Sequence, residues 1–485
     1  MKIFNLSALT LLGAFLVVPF VGAAATANYV VAVEKGTQSE SAWAAVVDAL
    51  KAKHQAQVLV YDGNANLTKL LPQLKALKPK YVCFVTKPET AGRDLVVNAA
   101  QLLRRIDDDP YGDAFWGIVT GYDAADALRL AKAPKARVIR RAATSMGALT
   151  ALDGWTSGFA SDEGNKDNFW RKLPGQKTEK VPTNGNPAKV LADSFNSIDV
   201  DYFVTSGHAT QRDWQIIYNK NEGSLRHDDK GCLRFMTPQG DVYPMTRASS
   251  KIYLAAGNCL IGNIDKRSCM ATSWIHSGGV EQFCGYTCVT FFGFMGWGVK
   301  SHLEEARCSF AEAYYLQNQL LLWVISHKKN GELMTCEIPP EDFTDGRHVR
   351  DFIQRHVREL VKEQDGKPTL DHDSLGLLWD RDIVAFYGDP AERVTFPEER
   401  RSLVTQVKGA DVTVTFKKKM DFGKLMDVKA ARPVMILLEQ PPAGTKLVDA
   451  NGKPVADSVV NDRFLLIPLS GVHTAGETLR FRLVR

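Results

Sequence analysis

Short apolar runs alternate with amphipathic stretches through the first part of the chain, and the alternation predicts strands and helices in turn. Tyr29–Val33, Gln57–Tyr61, Tyr81–Thr86 and Phe115–Thr120 read as strands, while Ala42–Lys53, Leu67–Leu77 and Asp94–Ile106 read as helices. The strands are apolar nearly throughout rather than at every second position, the pattern of parallel strands buried on both faces. Asp123 is placed to cap a helix running to Lys132, and Arg137–Arg141 is a further short strand. From Ser145 to Pro187 the pattern breaks into Gly, Asn, Asp, Lys and Pro around Trp155, Phe159, Phe169 and Trp170, which predicts a long excursion from the sheet. The alternation then resumes, with helices at Ala188–Ser197 and Leu303–Ser326 and strands at Asp201–Thr205, Lys251–Ala256 and Val280–Thr287. Beyond Gly388-Asp389-Pro390 the period changes to two at Asp411–Phe416, with further strands at Val434–Leu438, Phe464–Leu469 and Thr478–Val484 and an Asn451-Gly452 turn. The fold class expected is therefore α/β, a mostly parallel sheet flanked by helices, followed by a small all-β sandwich.

The amino terminus stands apart from this pattern. Lys2, an apolar run from Leu6 to Val21 and the small residues Gly22 to Ala27 make a secretory signal peptide, cut after Ala25 or Ala27. The run is shorter than the roughly twenty residues that a helix needs to span a bilayer. The expected organisation is a signal peptide at 1–25, an N-terminal α/β subdomain at 28–135, a second and catalytic α/β subdomain at 136–390, and a β-sandwich at 391–485. The expected setting is secreted or periplasmic.

Charge and cysteine content narrow the function classes. With 60 Lys+Arg against 55 Asp+Glu, well interleaved, the chain lacks the basic footprint of a nucleic-acid binder. Export permits disulfides, and five of the eight cysteines, Cys259, Cys269, Cys284, Cys288 and Cys308, fall close together. Cys284 and Cys288 sit at even spacing in a strand-like run, which reads as buried thiols or a disulfide. A zinc site that adds His276 is the competing reading, and it lacks the tightly paired ligands of structural zinc.

Two predicted strands end alike. Asp201-Tyr202-Phe203-Val204-Thr205-Ser206-Gly207 runs into His208, and Lys251-Ile252-Tyr253-Leu254-Ala255-Ala256-Gly257-Asn258 runs into Cys259. Reactive groups in parallel α/β sheets gather beyond the carboxyl ends of strands, so a histidine and a cysteine delivered there can meet. An imidazole beside a thiol supports a thiolate nucleophile and can return the proton to a leaving amine. The backbone N–H groups of Ala209 and Cys259 are placed to face a developing oxyanion.

On these residues the chain resembles the gingipain-like cysteine peptidases of the caspase-like group. The likeness extends to Ser268-Cys269-Met270-Ala271, Ser277-Gly278-Gly279-Val280, Asp108-Asp109-Pro110-Tyr111-Gly112-Asp113, Trp116 to Gly121, and Tyr387-Gly388-Asp389-Pro390. It implies a secreted endopeptidase with Cys259 as nucleophile and His208 as base and acid, followed by an immunoglobulin-like domain. It implies no required cofactor and no catalytic metal, with structural calcium compatible, and a protein or peptide substrate. It also puts Asp109 at the acidic floor of a specificity pocket and Trp297 at its wall, which implies cleavage after Arg or Lys. Two positions depart from the family pattern: Ala209 stands where a glycine is usual, and Asn258 where an alanine is usual, so Asn258 either narrows the cleft or adds a donor to it. Those departures keep open a non-catalytic reading, a caspase-like pseudopeptidase acting as a binding or scaffolding module. A two-lobed solute-binding protein would explain the alternation but not the paired strand ends.

Overall fold

A computed structural model describes residues 28–485 apart from 219, 291, 306–307, 328, 338–371 and 424–432; the expected signal peptide lies outside the described residues. Among these residues, twelve strands form one sheet. Its order is Gln57–Tyr61, Tyr29–Glu34, Tyr81–Val85, Phe115–Val119, Val384–Tyr387, Val280–Tyr286, Lys251–Ala255, Tyr202–Thr205, Arg141–Thr144, Ser157–Asp162, Asn165–Lys172 and Glu179–Lys180. The first five strands are parallel to one another, and so are the next five. The two blocks run in opposite directions, meeting at a seam where Val280–Tyr286 pairs antiparallel with Val384–Tyr387, from Phe283 opposite Tyr387 to Tyr286 opposite Val384. Consequently the carboxyl ends of the second block and the amino ends of the first share one edge of the sheet.

The strands near the seam are buried along their length except at half-buried Glu281, in keeping with their largely apolar runs. Helices flank the sheet, with Ser41–His54 packed on Ala124–Ala131, and Phe294–Glu304 packed on Phe310–Ser326 and His372–Asp382. Asp123 caps its helix as expected, its Oδ1 accepting from the N–H groups of Ala125 and Asp126 at 2.9 and 3.1 Å.

Three local expectations are corrected. The excursion expected at 145–187 contains three strands of the main sheet, Ser157–Asp162, Asn165–Lys172 and the outermost strand Glu179–Lys180. Its polar composition is that of a strand with one solvated face. Gly158 lets Ser157–Asp162 lie close to Arg141–Thr144, since a Cβ there would stand 1.8 Å from the Ala142 carbonyl oxygen. The single helix expected at Leu303–Ser326 is two, because Ser309 starts a new one, its Oγ accepting from Glu312 N while the Glu312 carboxylate accepts from Ser309 N at 2.7 Å. Between the two strand ends that carry chemistry, Asp213–Gln215, Ser224–His227, Leu233–Met236 and Val242–Pro244 form a four-stranded antiparallel sheet that periodicity did not reveal.

The carboxyl-terminal region is a β-sandwich. Leu403–Lys408, Asp411–Phe416, Thr478–Val484 and Lys446–Asp449 make one sheet, Val434–Leu437, Phe464–Ile467 and Val459–Val460 another, and Val412, Val414, Phe416, Val434, Leu465 and Ile467 fill the space between. An immunoglobulin constant-type order pairs the first, second, fifth and fourth strands. Among the described residues the last strand takes the fifth strand's place between Asp411–Phe416 and Lys446–Asp449, so they show the sandwich without that strand order. The sandwich is docked on the α/β body: Trp323 Nε1 donates to Asp457 O at 2.9 Å, Tyr111 packs edge-on to Phe464, and Arg463 donates to the Asp113 carbonyl.

No disulfide links the eight cysteines, all of which lie among the described residues. Cys269, Cys284, Cys288 and Cys308 are buried, so of the alternatives left open for the cluster the structure has buried thiols.

Candidate functional site

The His208 and Cys259 strand ends are adjacent and fastened together. Tyr202–Thr205 pairs directly with Lys251–Ala255, Thr205 lying opposite Ala255, and Ala256 N continues the ladder by donating to Thr205 O at 2.9 Å. Past the ladder the chain must turn, and Gly207 does so at φ 98°, a conformation that a side chain would strain. Asn258 then bridges the two ends. Its Oδ1 accepts from Thr205 Oγ1 at 2.6 Å and its Nδ2 donates to Gly207 O at 3.1 Å, with the residue 0% exposed. This corrects the expectation that Asn258 lines the substrate cleft: it is an internal brace, and the residue following each end of the brace is His208 or Cys259.

Cys259 is partly exposed, and the Thr290 N–H points at its Sγ from 3.3 Å. His208 is exposed, with its ring stacked on Tyr218 at a centroid distance of 4.5 Å. The backbone after it enters a hairpin in which Gln215 N donates to His208 O at 2.9 Å and Thr210 N donates to Asp213 O at 2.8 Å. Ala209 and Trp214 are therefore a non-hydrogen-bonded pair of that hairpin, and the Ala209 N–H points away from it. The departure from glycine at 209 leaves this backbone donor in place.

One acidic residue at this site escaped the sequence reading. Glu163 lies in the turn between the strands Ser157–Asp162 and Asn165–Lys172. Its Oε2 sits 3.4 Å from where a Cβ on Gly207 would stand, buried and without a hydrogen bond among the described residues. Burial is the main cause that lifts its carboxyl to about 6. Its carbonyl accepts from Tyr218 N at 2.6 Å, so the same residue also positions the ring stacked on His208. A lone Glu in a polar stretch gives no sequence cue; only the pairing of these two strands brings it behind His208.

No described contact joins Asp109 to Trp297. Asp109 precedes a strand that shares the site's edge of the sheet, but Phe115–Val119 stands three places from Lys251–Ala255, about 14 Å at ordinary strand spacing. Its Oδ1 accepts from Tyr111 N at 2.8 Å and its Oδ2 from Asn461 Nδ2 at 2.5 Å, tying the loop to the sandwich. With Asp107 and Asp113 it forms a compact acidic loop whose carboxylates accept local backbone N–H groups, and burial lifts Asp113 to about 8. The described contacts of the Asp109 carboxylate are thus with its own loop and the sandwich. Trp297 is 41% exposed at the site itself, its Nε1 3.6 Å from where a Gly257 Cβ would stand.

No protein-family model matches the chain, and no curated protein does. Two solved structures are similar over most of their length. The Arg-specific cysteine proteinase gingipain R matches 92% of this chain and 91% of its own at 11% identity, with a TM-score of 0.40. A structure described only as a protease matches 94% of each chain at 8% identity, with a TM-score of 0.39.

The helix carrying Trp297, Phe294–Glu304, is seated on the Cys259 strand by glycine: a Cβ on Gly296 would stand 2.2 Å from Ala256 O. Its first turn is held by a buried carboxyl. Asp380 Oδ2 accepts from Met295 N at 3.1 Å and from the Tyr286 hydroxyl at 3.2 Å, and that hydroxyl accepts from Gly296 N at 2.9 Å. Burial raises Asp380 from the ordinary carboxyl range to about 7. A carboxyl raised by folding holds its proton better in the folded state, so stability falls as pH climbs from about 4 to 7 and is level above. Asp380→Asn, which keeps the acceptor and removes the titration, is expected to abolish a slope of about 1.4 kcal/mol per pH unit in that interval. Urea unfolding of the two proteins at pH 5 and pH 7 measures it.

Proposed function

We propose that the protein is a cysteine endopeptidase in which Cys259 is the nucleophile and His208 the general base and acid. The observation that carries this reading is the Asn258 brace, which holds side by side the two strand ends whose next residues are His208 and Cys259. In the first step His208 takes the Cys259 proton and Sγ attacks the substrate carbonyl carbon, forming a C–S bond while the carbonyl oxygen gains charge. The Ala209 and Cys259 N–H groups face that oxygen. His208 then gives its proton to the leaving amine as the C–N bond breaks, and a water molecule cleaves the resulting thioester to free the acid and the thiol. Glu163, behind Gly207, acts on this chemistry as a positioning residue for the His208 loop.

The reading includes an extracellular or periplasmic setting, which rests on the amino-terminal sequence pattern; no helix among the described residues is long and apolar enough to cross a membrane. Incubation with an unfolded protein substrate under reducing conditions tests the activity. New peptide termini that appear with the wild type and are absent with Cys259→Ala are expected; no cleavage by the reduced wild type contradicts the proposal.

A further inference from the structure

A cavity of about 470 Å³ opens beside Trp297 and runs beneath its helix along the face of the strands Arg141–Thr144 and Tyr202–Thr205. Its mouth is at the site. Trp297 stands against Gly257, two residues before Cys259, and Ser206 N, two residues before His208, donates to Ser145 Oγ at the end of the strand whose Thr144 lines the cavity. The walls are largely apolar, with Ala142, Met146, Val204, Trp155 and Trp297 among them. Trp297 and Glu304 are seven residues apart on one helix, so the cavity runs about 10 Å beneath it.

The charged groups at the far end are already engaged. Glu304 Oε2 pairs with Lys300 Nζ at 2.6 Å, and Glu304 Oε1 accepts from the Tyr202 hydroxyl at 3.3 Å. Arg400 lies over the Trp155 ring, 4.1 Å from its centroid, and donates to Asp153 O at 3.3 Å. An arginine or lysine side chain entering here would meet two resident cations and one carboxylate with both oxygens occupied, and burying a cation without a partner is unfavourable. A large apolar side chain loses nothing by entering and removes its surface from water.

We propose that this cavity is a specificity pocket that takes a large apolar side chain, aromatic or long aliphatic, from the residue preceding the bond cut. The inference rests on the cysteine-peptidase reading and narrows its substrate class, replacing the Arg or Lys preference that Asp109 implied.

Binding to full-length Cys259→Ala protein, which needs no turnover, separates the two. Calorimetric titration with acetyl-Ala-Ala-Phe-amide and acetyl-Ala-Ala-Arg-amide is expected to favour the phenylalanine peptide by about tenfold or more. Ala142→Leu, which fills the cavity, is expected to remove that preference, and Trp297→Ala at the exposed mouth to weaken it if the first variant does not fold. Equal or tighter binding of the arginine peptide, no binding of either, or a phenylalanine preference untouched by both changes would overturn the inference. Cleavage after arginine by the wild type together with such a result would overturn the pocket assignment alone, whereas absence of cleavage and of thiol labelling would overturn the peptidase reading.

Discussion

Cys259→Ala is expected to lower kcat/KM on any cleaved peptide by at least about 10⁴-fold, His208→Ala by a similar factor, and the double variant by little more than either. The non-additivity is the informative part. Base and nucleophile work as one unit, so once the sulfur is gone the imidazole has no proton to move. KM is expected to change far less than kcat, because neither side chain supplies the binding surface. Steady-state kinetics on the three variants in reducing buffer measure this, and two independent additive losses would show that the residues act separately.

The second large effect concerns Asn258. It is buried on the Cys259 strand end and makes two bonds to the His208 strand end, so Asn258→Leu, similar in size, leaves the Gly207 carbonyl and the Thr205 hydroxyl without this partner. The Thr205 hydroxyl keeps the Tyr253 hydroxyl at 2.8 Å, so the cost falls on the Gly207 carbonyl; a buried polar group left unmet costs about 1–3 kcal/mol, which is the expected loss of stability. Activity per folded molecule is expected to fall as well, since nothing else among the described contacts ties Gly207 to the Cys259 turn. Urea unfolding gives the first quantity, and active-site-titrated turnover at low temperature gives the second.

The strands ending at His208 and Cys259 were legible because parallel strands buried on both faces leave unbroken apolar runs, and each run stops at a glycine. The helix borders were legible where caps mark them, as at Asp123. The opposed direction of the two blocks was not legible, since Val384–Tyr387 reads as one more apolar strand whichever neighbour it joins. That seam decides which loops share the site's edge. Glu163 was hidden because its position depends on the strand pairing around Gly158, and Asn258 was misread because a polar residue beside a nucleophile suggests the cleft, whereas its two bonds require burial. The partner of Asp109, Asn461, lies more than 350 residues further along the chain, a relation that spacing cannot carry.

Eight thiols in one chain provide the most direct test, because all but Cys259 and Cys232 are buried. The other six are buried, and burial pushes the Cys288 thiol up to about 11. Treating the reduced protein with a limiting amount of a thiol-directed peptidyl electrophile, followed by intact-mass analysis and peptide mapping, measures which sulfur is the nucleophile. A single adduct on Cys259, formed well before any on Cys232 and slowed strongly in His208→Ala, is the predicted result. Modification of Cys232 at an equal or greater rate, or labelling of Cys259 indifferent to His208, would contradict the assignment of these two residues as a catalytic pair.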